Sequence, residues 1–185
     1  IPLDKRVYPL ASSENNHMIS TLQRPNLIEP AGMQLAAKFI LDICSKNNLV
    51  PNIYDLYSCF PVAIQMFAKS LNLNNIKDKT VTGAMPFAGG PLNSYVLHST
   101  AKLIEKLREN NGIGIVTGVS GMMTKQSYAL WSKNKEIDFI HKDVTKDAET
   151  IEKALELSEF EDGEGKIVGY TAVSYTHLTL PTMDS

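Results

Sequence analysis

Tyr57, Ser58 and Cys59 stand side by side in the segment DLYSCFP, placing a phenol, a hydroxyl and a thiol in consecutive positions. Side chains of these kinds act as nucleophiles or proton carriers when a neighbouring base or a lowered pKa activates them. A second segment, TGAMPFAGGPLNSYVLH, carries Gly89, Gly90 and Pro91 ahead of a helical pattern. The two glycines let backbone amides approach a ligand with no Cβ in the way, and Pro91 suits a first helical position. Amides left free at a helix start can hold an anion, a carbonyl oxygen or a developing oxyanion. The same residues read equally as a plain glycine-rich turn. A third segment, VTGVSGMMTKQS, supplies Gly118, Ser120 and Gly121 as a tight turn. Each segment is expected to follow a strand, and in open α/β sheets ligands bind beyond the carboxyl ends of strands. Three such turns at one edge would line one pocket.

Other chemistries lack their residues. GIGIVT misses the third glycine of a dinucleotide fingerprint and runs into a strand pattern, and no GxxxxGK(S/T) occurs. His17, His98 and His141 lie far apart and show no metal-ligand spacing, so no metal is expected. A net charge of −2 with scattered charges argues against a nucleic-acid surface. No apolar run approaches the roughly 20 residues of a membrane span. The two cysteines, Cys44 and Cys59, form no CxxC pair, which points to a reduced, cytoplasmic setting.

The elements that must position these residues follow from periodicity. Residues 1–29 are expected to be an irregular lead-in, and Glu29-Pro30 opens a helix. Met33, Ala36, Ala37, Ile40, Leu41 and Cys44 recur at spacings of three and four on its apolar face, with Cys44 a small core hydrophobe. Residues 53–57 form a strand, 61–71 a second helix, and 80–85 a strand leading into the glycine–proline loop. Leu92, Val96, Leu103 and Leu107 mark one face of the next helix, which stops at Asn110-Asn111-Gly112. Residues 113–117 and 127–131 are strands of a hairpin. Residues 133–165 form a charged, exposed connection, with weak helical periodicity over 144–157, and 166–172 begin a further strand. This order describes a layered α/β domain, with its main body over 30–132. At the end of the chain, VSYTHLTLPT resembles a translated sequencing adapter, so residues 173–185 are set aside and His177 is no site residue.

The three segments, together with VYPLASSENNH and KIVGYTAV, resemble in order and spacing the C-terminal half of thiolase-superfamily proteins. The group is the one named acetyl-CoA acetyltransferase-like or thiolase-like protein type 1, and the resemblance spans residues 4–172. It implies the layered αβαβα thiolase fold, C-terminal half only, with 166–172 opening an additional C-terminal domain. It also implies a coenzyme A thioester as substrate or ligand, with no tightly bound cofactor. In working members a nucleophilic Cys comes from the other half. This half supplies a His in a Gly-His-Pro loop, an Asn or His after a strand, and an acid–base Cys in a Cys-x-Gly turn. The matching positions here are Gly90, Tyr57 and Gly118. Glycine moves no proton, and a phenol with a pKa of about 10 is a poor base at neutral pH. Gly89, Pro91, Ser58, Cys59, Ser120 and Gly121 would line the thioester site. Cys59 matches a Cys that is structural in the related His-Asp-Cys-Phe pattern. His98 is a candidate replacement base, or a histidine held by packing. The resemblance thus implies acyl-CoA binding with altered or absent acyl transfer. Its partners would be the N-terminal half of the same protein, and a second copy or a thiolase- or hydratase-type subunit.

Overall fold

A computed structural model describes residues 2–73, 75, 77–121, 123–158 and 162–167. Its centre is a five-stranded mixed sheet in the order β2-β3-β4-β1-β5. The strands are β1 (Tyr8–Asn15), β2 (Ile53–Asp55), β3 (Ile113–Ser120), β4 (Lys125–Ser132) and β5 (Ile140–Asp143). β3 and β4 form the expected hairpin, in register from Ile113↔Ser132 to Ser120↔Lys125. β2 runs parallel to β3, β4 is antiparallel to β1, and β5 runs parallel to β1. The helices are α1 (Ala31–Lys46), α2 (Pro61–Ser70), the single turn α3 (Met85–Ala88), α4 (Tyr95–Glu109) and α5 (Thr145–Ile151).

Alternation along the strands divides the helices between the two faces. Tyr128 packs edge-on against Phe67 of α2 and its hydroxyl donates to the Met33 carbonyl of α1. Leu10, Met33, Ile40, Phe67, Ile115 and Leu130 fill this main core. On the opposite face, α4 seats Leu103 and Leu107 against Val116. Gly114 permits that approach, because a Cβ there would fall 2.6 Å from Leu103 Cδ2. α1 closes where Asn47 Nδ2 donates to the Ile43 carbonyl and Asn48 turns left-handed at φ 53°. Pro61 opens α2, where its missing amide hydrogen costs nothing.

Several expectations are corrected. The lead-in over 1–29 contains β1, a strand inside the sheet. Its inward Ser13 and Asn15 hide it from hydrophobic periodicity. They are buried because Ser13 Oγ donates to Ala36 O at 2.8 Å and Asn15 Nδ2 donates to Gln126 Oε1 at 2.9 Å. The segment 80–85 is no strand beyond one bridge, Asp55↔Thr80. Gly83 (φ 83°) and Ala84 (φ 67°) are both left-handed, which turns the chain into α3. Pro91 does not open the long helix. It precedes a 3-10 turn at Leu92–Ser94, and α4 starts at Tyr95. Gly118 is not in a turn either: β3 continues to Ser120 and pairs Gly118 with Ser127. β5 is an edge strand whose four side chains are exposed, so no apolar face marks it. Residues 168–172 and 173–185, assigned above to a further strand and to an adapter, lie outside the described residues.

Candidate functional site

β2 ends at Asp55, and the chain leaves the sheet through residues 56–60 toward α2. The Tyr57 amide donates to Thr117 Oγ1 on β3 at 2.9 Å, which ties this exit to the neighbouring strand. The Tyr57 ring meets Tyr95 of α4 edge to face, 5.3 Å apart at 81°. Beside it opens a cleft of about 410 Å³. Tyr57, Cys59 and Phe60 form one wall, Leu92, Asn93 and Val96 a second, and Val119, Ser120, Gly121 and Met123 the third. The exits of β2 and β3 and the start of α4 therefore share one cavity, as the strand-end argument requires.

Four of the sequence-selected residues, Tyr57, Cys59, Ser120 and Gly121, line this cleft together. Ser58 lies beneath it, 6% exposed, where its hydroxyl accepts the Met85 amide at 2.9 Å. Gly89, Gly90 and Pro91 are exposed and lie outside the cleft wall, which takes the two residues that follow them instead. His98 is exposed on α4 and does not line the cleft. Gly118 sits within β3, where a Cβ would face Ser127 Oγ and Val96 Cγ2.

The cleft wall carries no charged side chain. Burial raises the Tyr57 phenol above its ordinary pKa, and Cys59 and Tyr95 add to the shift. Burial also raises the Cys59 thiol, opposed by hydrogen bonds from the backbone at Phe60 and at Cys59 itself. Both groups keep their protons at neutral pH, so neither is a ready base or nucleophile. Among the described residues no group of three or more His, Cys, Asp or Glu could hold a metal ion.

Periodicity and motif spacing overlooked a buried polar network under the site. Asp55, fully buried, accepts the Thr82 amide at 2.9 Å and the Thr82 hydroxyl at 2.8 Å through Oδ2. Thr82 Oγ1 lies 3.1 Å from the Tyr95 hydroxyl, which lies 3.2 Å from Ser58 Oγ. An acidic residue two places before Tyr57, at the end of a buried strand, was the available clue. A buried carboxyl group calls for hydrogen-bond partners, because leaving it unpaired is costly; Oδ2 has them and Oδ1 has none among the described residues.

No known protein-family profile matches the chain, and no curated protein matches it by sequence. Among solved structures, a monomeric SCP2-thiolase-like protein type 1 from Mycobacterium smegmatis superposes with a TM-score of 0.63 over 72% of this chain, at 24% identity. The match covers 30% of that neighbour's length. The likeness establishes the fold: a five-stranded mixed sheet flanked by helices, of thiolase-like architecture.

Proposed function

We propose that this chain supplies part of a site that binds the acyl end of a coenzyme A thioester and does not perform ordinary thiolase turnover. The observation carrying this reading is the uncharged cleft of about 410 Å³ between the β2 exit, the β3 exit and the α4 start. Its size lies within the range of small-molecule pockets. Its lining is mostly aromatic, aliphatic and sulfur-bearing, with Asn93 and Ser120 as neutral polar groups, which suits an uncharged acyl group rather than phosphates. The thiolase-like fold is compatible with such a ligand. Proton-transfer chemistry has little support, because Tyr57 and Cys59 hold their protons and Gly90 and Gly118 offer none.

Calorimetric titration with butyryl-CoA tests the binding, with free coenzyme A as the comparison. Butyryl-CoA is expected to bind more tightly than coenzyme A, and Val96→Trp, which fills the cleft, is expected to abolish the difference. Equal affinity for the two ligands, or an unaffected Val96→Trp variant, would overturn the reading. Acetoacetyl-CoA cleavage above background, lost in Tyr57→Phe, would instead favour an active acyltransferase.

A second reading is a non-catalytic subunit that pairs with further thiolase-type or hydratase-type protein, including additional sequence of its own chain. The exposed apolar side chains near the cleft favour it: Phe87 and Leu92 are 86% and 85% exposed, and Phe60 and Leu97 are also exposed. Co-purification of such a partner at native expression is the expected result, and a lone ligand-binding monomer counts against it.

A further inference from the structure

We infer that Tyr95 is the positioning residue of this site: its hydroxyl holds the turn that launches the glycine–proline loop, and its ring holds the cleft wall. Tyr95 is 1% exposed, at the first position of α4. Its hydroxyl stands between Ser58 Oγ at 3.2 Å and Thr82 Oγ1 at 3.1 Å. A hydroxyl has one proton to give, and this sets the direction of the whole chain. Thr82 Oγ1 donates its proton to Asp55 Oδ2. Thr82 Oγ1 can therefore only accept from Tyr95. Tyr95, having donated, accepts from Ser58. Ser58, having donated, accepts the Met85 amide at 2.9 Å with one of its two lone pairs. The order runs Ser58 to Tyr95 to Thr82 to Asp55, and fully buried Asp55 is the terminal acceptor that fixes it.

The backbone held by this chain needs holding. Ala84 is left-handed at φ 67° without being glycine, a conformation that persists only when its surroundings over-determine it. Thr82 Oγ1 accepts the Ala84 amide at 3.3 Å, and Ser58 accepts the next amide, that of Met85. On its other side the Tyr95 ring meets Tyr57, which lines the cleft. One buried side chain thus joins the loop on one flank of the site to the wall on another.

The inference stands whatever ligand the cleft takes; only its affinity readout rests on the acyl-CoA reading. The decisive pair is Thr82→Val, which keeps the shape and loses the hydroxyl, and Thr82→Ser, which keeps the hydroxyl and loses a methyl. Amide hydrogen exchange at Ala84 and Met85 is expected to quicken about tenfold in Thr82→Val and in Tyr95→Phe, the scale of one lost hydrogen bond, and to stay near wild type in Thr82→Ser. Exchange in the β3–β4 ladder is expected to be unchanged. A folded Tyr95→Phe variant that exchanges like wild type overturns the inference, as does a Thr82→Val variant that exchanges like wild type or a Thr82→Ser variant worse than Thr82→Val, because that order marks packing rather than hydrogen bonding. If Tyr95→Phe fails to fold, exchange at Met85 in Thr82→Val decides, because Thr82 reaches the Ser58 acceptor of that amide only through the Tyr95 hydroxyl, and Met85 exchange unchanged there overturns the inference. Butyryl-CoA affinity is expected to fall in Thr82→Val and not in Thr82→Ser. Wild-type protein that does not bind butyryl-CoA while the exchange order holds removes the ligand and leaves the positioning role; intact binding with a failed exchange order does the reverse.

Discussion

Gly90 and Gly118 both stand where the thiolase resemblance expects a proton-carrying side chain, yet their surroundings differ. A Cβ at Gly90 would approach only Met85 Sδ, at 4.0 Å, so space does not require glycine there. A Cβ at Gly118 would fall 2.7 Å from Ser127 Oγ and 3.3 Å from Val96 Cγ2. Gly90→His is therefore expected to change unfolding free energy by less than about 0.5 kcal/mol, as at an ordinary surface position. Gly118→Cys is expected to cost about 1–3 kcal/mol through overpacking. Urea denaturation of both variants measures the contrast. Cys44 makes a second residue-scale prediction. Its burial raises the thiol pKa from 9.0 to about 11. Between those values the unfolded chain has lost this proton and the folded chain keeps it, so stability falls as pH rises through that window. Cys44→Ala should lose about 1 kcal/mol less than wild type between pH 8 and 10.5, after allowance for solvent screening. Denaturation midpoints at the two pH values check it. Tyr57 and Cys59 were legible in DLYSCFP as cleft residues. Asp55, Thr82 and Tyr95 lie inside the same quoted segments, yet their role was not legible, because it arises from contact between residues far apart along the chain.

At the scale of elements, long segments with one strong period were readable and short or polar ones were not. α1 and α2 bury the faces that spacings of three and four mark, and the β3–β4 hairpin follows its apolar run. α4 buries Leu103 and Leu107 as that spacing marks, but Leu92 lies ahead of the helix and is exposed, and Tyr95 and Ser99 are the buried residues of its first turns. β1 escaped because Ser13 and Asn15 satisfy their polar atoms inside the fold, so polarity does not alternate with burial. β5 escaped because both its faces are wet. The 80–85 segment misled because its β-branched residues suit a strand, while two left-handed residues turn the chain away. The α4–β3 contact carries an element-scale prediction. Leu103 is fully buried against the sheet, so Leu103→Ala should cost about 2–5 kcal/mol, read from chemical denaturation. Gly114→Val should be at least as harmful, since its side chain would occupy the place of Leu103.

At the scale of the molecule, large apolar side chains reach water in several places, and four of them lie on the segments around the cleft. Phe60 and Leu92 line the cleft, and exposed Phe87 and Leu97 belong to α3 and to the first turn of α4. Large exposed apolar clusters mark surfaces that associate. Phe87→Ser combined with Leu97→Ser is expected to lower dye binding by exposed apolar surface and to reduce self-association, as measured by sedimentation velocity. Unchanged sedimentation would show that these side chains do not mediate contacts. Among the described residues no helix is long and apolar enough to cross a membrane. The chain's own order of residues determined its fold class, its longest helices, its hairpin and the segments whose residues line the cleft, because those depend on local periodicity and on turn-forming residues. Only the tertiary structure decided that the β2 and β3 exits share a cleft with the α4 start, that the glycine–proline loop stands outside it, and that Tyr95 links them. Those facts depend on distances between residues far apart along the chain, which periodicity does not encode.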